Sequence, residues 1–108
     1  MAVNEDFHTY IKDQLEGMGD FESKKMFGGI GFFKESLMFG LIGKNVFHLK
    51  VDDFNRAEYE AAGMQAYMSS TKKKGMPYWE VPADVIENKD ELTLWADKAY
   101  DAAVRAKK

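Results

Sequence analysis

Between residues 22 and 51 the chain writes apolar runs separated by three tight turns. Gly28-Gly29, Glu35-Ser36 and Gly43-Lys44-Asn45 break it into Ser23 to Phe27, Ile30 to Lys34, Leu37 to Ile42 and Val46 to Val51. Runs this short are too brief for helices, and turns this tight connect antiparallel neighbours, so a four-stranded meander is expected. The fourth run alternates: Phe47, Leu49 and Val51 face one way, and Val46, His48 and Lys50 the other. The third run is apolar on both faces, which places it at the centre of the sheet.

Helical patterns flank the meander. Phe7, Tyr10, Ile11, Leu15 and Met18 recur at three- and four-residue steps and predict a helix over residues 3–18, with Asn4 as its cap and Gly17 and Gly19 at its end. Asp52 or Asp53 opens a second helix that ends at Gly63. Met64 to Ser69 and Met76 to Val81 predict a further hairpin around the basic loop Thr71 to Gly75, with Pro77 pointing to an edge or an irregular start. Pro82 opens a helical turn over residues 83–87. Asp90 caps a last helix that carries Leu92, Trp95, Ala96, Ala99, Tyr100 and Ala103 on one face. The order predicts an α+β domain of two layers, with an antiparallel sheet of about six strands (α-β4-α-β2-α-α) and its helices on one face. At 108 residues, with no linker, repeat or low-complexity tract, the whole chain (1–108) is expected to form a single domain.

Composition excludes several functions. Without cysteine there is no disulfide, thiolate nucleophile or Cys-based zinc site. The net charge of −3 lacks the basic footprint of a free-standing duplex-DNA binder. No segment approaches the roughly 18 consecutive apolar residues of a membrane helix. The opening Met1-Ala2-Val3-Asn4-Glu5-Asp6 lacks a basic signal region, so a cytoplasmic protein is expected.

No catalytic pattern stands out. Gly28-Gly29-Ile30-Gly31 is followed by strand-like Phe32-Phe33-Lys34 rather than the helix a phosphate loop needs, so it reads as a hairpin turn. Ser69 to Lys74 holds two Ser-x-x-Lys matches, but three adjacent lysines beside a glycine read as solvated charges, not as a buried base. His8, with Glu5 and Lys12 as helical neighbours, and His48 form no His-x-x-x-His or His-Glu pair and offer no three or four convergent ligands, and both are expected to be exposed. Asp52-Asp53 and Asp90-Glu91 are accounted for by capping. No metal or other cofactor is expected.

Two surfaces remain. Lys24, Lys25, Lys72, Lys73 and Lys74, with Arg56, form a candidate anion or nucleic-acid patch if the first strand and the second hairpin lie close. Its alternative is a solvated edge that deters aggregation. The 15 aromatic residues and seven methionines raise the second candidate. Many fall on strands, and helices cover only one face of a two-layer sheet, so some large side chains are expected on the open face. Phe32, Phe33, His48, Tyr67 and Tyr78 are the candidate partner surface, for another protein or a second copy of the chain. A third reading, a small-ligand site or enzyme, would use His48 and nearby tyrosines.

Five stretches resemble one family in order: Met26-Phe27-Gly28-Gly29-Ile30-Gly31-Phe32-Phe33, Met38-Phe39-Gly40-Leu41-Ile42, Leu49-Lys50-Val51-Asp52 with Asn55-Arg56, Met76-Pro77-Tyr78-Trp79-Glu80-Val81-Pro82, and Leu92 with Trp95-Ala96. Together, from about residue 7 to 104, they resemble the TfoX (Sxy) N-terminal domain family. The resemblance implies a secretion-chaperone-like α+β fold in a bacterial cytoplasmic protein. It implies a role in regulating natural competence for DNA uptake, at the level of transcription, with a cyclic-AMP receptor protein. Full-length members carry a further C-terminal helical domain, so the resemblance implies a stand-alone N-terminal module. It brings no catalytic residue. The glycines 28, 29 and 31 and the pair Asn55-Arg56 match it as determinants of the fold.

Overall fold

A computed structural model describes residues 5–26, 29–43, 45–66 and 77–107. Helix α1 (Glu5–Gln14) passes through a single 3-10 turn (Glu16–Met18) into the meander β1 (Glu22–Met26), β2 (Gly29–Lys34), β3 (Leu37–Gly43) and β4 (Val46–Lys50). Helix α2 (Arg56–Ala61), strand β5 (Tyr78–Glu80), helix α3 (Ala83–Glu87) and the long helix α4 (Lys89–Lys107) complete it. No helix among the described residues is long and apolar enough to cross a membrane.

The fold is α+β with one open antiparallel sheet in the order β1-β2-β3-β4-β5, so the strand that is apolar on both faces is central, as its composition requires. Five strands form among the described residues, where about six were expected. Of the expected strand Met64 to Ser69, Ala66 forms a bridge to Trp79, Gln65 accepts from the Glu80 amide at 3.1 Å, and residues 67–69 lie outside the described part. The basic loop Thr71 to Gly75 lies outside it too.

The first helix ends earlier than its apolar stripe suggests. The 3-10 turn sets Gly17 against α4, where a β-carbon would come within 2.5 Å of Thr93 Oγ1. Glu35 and Ser36 both adopt positive φ, the backbone of a type I′ hairpin turn. Tyr100 donates to the Glu35 carboxylate at 3.0 Å and so ties that hairpin to α4.

One face of the sheet is roofed by the helices. Ile30, Phe32, Ile42, Phe47 and Leu49 gather there with Ile11, Leu15, Leu92, Ala96 and Ala99. The alanines of α4 let its backbone lie close over the central strands. Phe32 meets Phe47 edge to face with centroids 5.5 Å apart, and Tyr59 meets Trp95 at 4.7 Å. The pairing Phe32↔Gly40 followed by Phe33↔Met38 leaves Phe39 as the extra residue of a bulge. Phe39 thereby enters the core beside Phe21 and Phe32, next to the small Gly40.

At the β4–α2 corner Asn55 is buried. Its Nδ2 donates to the Lys50 carbonyl at 3.1 Å, and its Oδ1 accepts from the Asp52 amide at 2.8 Å. Asn88, rather than Asp90, caps α4: its Oδ1 accepts from the Glu91 amide at 3.1 Å.

Candidate functional site

The sheet has a second face, on the side away from the helix core. Directly paired residues of antiparallel strands point to the same side. The partners Lys24↔Gly31, Gly31↔Leu41 and Leu41↔His48 therefore share that face, as do Phe33↔Met38 and Lys50↔Tyr78. Leu41 and Tyr78 are buried but stand apart from the main core cluster. Met26, Phe33 and Met38 are half-buried around Gly31, where a β-carbon would meet Met26 Sδ at 2.6 Å, the Phe33 ring at 3.0 Å and Met38 Sδ at 3.3 Å. Missing bulk at Gly31 lets the two thioethers and the ring close over the strand, the kind of sulfur–aromatic contact that adapts to shape.

Cations frame this apolar surface. Lys24 Nζ lies 5.5 Å from the Phe33 ring centre, and Lys50 Nζ lies 5.0 Å from that of Tyr78. The Tyr78 hydroxyl donates to the Met38 carbonyl at 3.4 Å, a long bond. Burial pushes the Tyr78 phenol upward in pKa and the Lys50 ammonium downward, the latter opposed by Asp52. Burial also lowers His48 to about 4, against backbone hydrogen bonds with Leu41 and Val46 that favour its charged form. His48 is thus neutral at pH 7 and poorly suited to trade protons there.

The expected partner surface is divided by the structure. Phe33 stands on the second face and is half-buried. Phe32 does not: its register opposite Gly40 turns it to the helices, and it is fully buried in the core. His48 and Tyr78 lie on the second face as alternation requires, yet His48 is 4% exposed and Tyr78 8%, so neither is the open side chain expected. Tyr67 lies outside the described residues.

The described members of the expected lysine patch are not assembled. Lys24 and Lys25 are neighbours on β1 and so point to opposite faces. Lys25 Nζ sits 3.4 Å from the Glu5 carboxylate. Arg56 begins α2, which follows β4, whereas Lys24 and Lys25 lie on β1 at the far end of the strand order. Its guanidinium is 2.6 Å from Asp53. Lys72, Lys73 and Lys74 lie outside the described residues.

Sequence reading missed two features. His8 is half-buried rather than exposed; its Nε2 lies 3.1 Å from Ser23 Oγ and its ring meets Phe32 edge-on. A Ser–His pair does nucleophilic work when a further group orients the imidazole. Glu5, one turn earlier on the same helix, pairs with Lys25 instead. The contact therefore reads as a tie between α1 and β1. The second feature is an open groove lined by Val51, Asp52, Phe54, Pro77, Ala102 and Arg105. Arg105 grips Asp52 through two bonds, Nε to Oδ2 at 2.6 Å and Nη2 to Oδ1 at 3.0 Å. Its guanidinium also covers the Phe54 ring at 4.2 Å, although Phe54 remains 79% exposed. The Arg105 partner holds the Asp52 carboxyl below its usual range. Among the described residues no group of three His, Asp or Glu side chains could hold a metal ion.

A family model described as the TfoX N-terminal domain matches residues 13–103. The search of curated proteins returned no match.

Proposed function

The chain belongs to the TfoX N-terminal domain family, and from that premise we propose that it is a regulatory module that works by contacting protein. The setting we propose is transcriptional control of DNA-uptake genes in a bacterial cytoplasm, with no catalytic step of its own. One observation carries the reading: Met26, Phe33 and Met38 form a half-buried apolar cluster on the face the core helices leave aside. Methionines and aromatics rimmed by polar groups are what partner surfaces favour, and Lys24 and Lys50 supply such a rim. The nucleic-acid reading gains nothing from Lys24, Lys25 and Arg56: the first two point to opposite faces, and Lys25 and Arg56 are paired with carboxylates.

Deleting the gene from its host and measuring DNA-uptake transcripts tests the reading. Lower transcripts, restored by the wild-type gene, are expected. Transcripts unchanged by the deletion contradict it.

A further inference from the structure

We propose that β1 is a self-complementary edge through which two copies of this chain join their sheets into one. The inference deepens the protein-contact reading above and rests on it only for the idea that the module works by association.

β1 is the first strand of the sheet order, and among the described residues its ladder is made with β2 alone. Its outer backbone groups are therefore a template for another strand. Glu22, Lys24 and Lys25 are exposed, and Ser23 and Met26 half-buried. Lysines on an edge ordinarily deter pairing. Here an acid alternates with a lysine, which makes the deterrence depend on register.

Two copies related by a two-fold axis perpendicular to the sheet keep both helix layers on the same side. Such an axis passes through one residue position, which then faces itself. Centred on Glu22, Lys24 or Lys25, the pairing sets like charges directly against each other, which is unfavourable. Centred on Ser23, it sets Glu22 against Lys24 of the second copy, twice over. Ser23 then meets Ser23, and Phe21 meets the stem of Lys25. Within its own chain Glu22 is already paired with Phe33, which neighbours Met38. A row Met38, Phe33, Glu22, Lys24 would thus run unbroken from one copy into the next. The joint unites the two apolar clusters into a single larger surface.

The test is sedimentation of the full chain over a concentration series, together with Glu22→Lys, Lys24→Glu and an equimolar mixture of the two variants. The wild type is expected at twice the 12.3 kDa chain mass. Each variant alone sets like charges across the axis and is expected as a monomer with wild-type circular dichroism. Their mixture again opposes unlike charges and is expected to return the dimer. A wild-type monomer at every concentration overturns the proposal, as do variants that dimerise like wild type or folded variants whose mixture stays monomeric. A wild-type chain that stays monomeric yet restores DNA-uptake transcripts overturns the edge pairing alone and leaves the regulatory reading standing.

Discussion

His48 shows how much one residue's neighbours decide. Strand alternation places it on the face of Val46 and Lys50, and the structure agrees. Alternation says nothing of burial, which depends on what the chain lays beside it, and only 4% of His48 is exposed. Its pKa falls from the ordinary 6.5 to about 4, with burial the dominant cause. As pH falls, the unfolded chain takes up a proton near 6.5, while the folded chain resists until about 4. His48's contribution to stability is therefore complete above pH 6.5 and lost progressively toward 4. Between pH 7 and 5.5 the loss is about 1 kcal/mol. Urea unfolding at those two values should show that loss in the wild type and a smaller one in His48→Gln. Equal losses in both would show that His48 titrates normally. The same gap between position and environment explains Phe32 and Phe33, adjacent rings of which one is core and the other half-buried.

At the scale of elements, turn chemistry and periodicity made the meander, the central strand and the α4 stripe legible. Glu35-Ser36 turns where expected, β3 lies third of five, and Leu92, Ala96, Ala99 and Ala103 are all buried. The bulge in β3 was not legible. A strict two-residue period puts Phe39 with Leu41, whereas the extra residue resets the alternation and sends Phe39 into the core. Gly40 permits it, because a β-carbon there would lie 2.9 Å from the His48 carbonyl oxygen and 3.1 Å from Leu49 Cδ2. Backbone on a paired strand cannot step aside, so Gly40→Ala should cost about 2 kcal/mol in urea unfolding. Gly31→Ala should cost less than about 1 kcal/mol, because it meets the movable ends of Met26, Phe33 and Met38. Equal costs at the two sites would contradict the assignment of Gly31 to the pliant face and Gly40 to the rigid one.

At the scale of the whole molecule, a sheet whose described helices gather on one side follows from the order of strands and helices, and so does the presence of large apolar residues on its other side. Which residues those are was only partly legible, because register and bulge decide it. Phe33 was anticipated, Met26 and Met38 complete the cluster, and the groove at Phe54 and Arg105 depends on a meeting of distant segments that no local pattern announces. Of the anticipated lysine patch, Lys24 and Lys25 diverge as adjacent strand residues, Arg56 pairs with Asp53, and Lys72, Lys73 and Lys74 lie outside the described residues. On the proposed function, the Phe33–Met38 cluster is kept for contact rather than for folding. The most direct measurement pairs urea stability with DNA-uptake transcripts for the double variant Phe33→Ser, Met38→Ser. The variant is predicted to unfold cooperatively near the wild-type midpoint and to fail to restore the transcripts in a deletion strain. Full restoration by the folded variant would contradict the account.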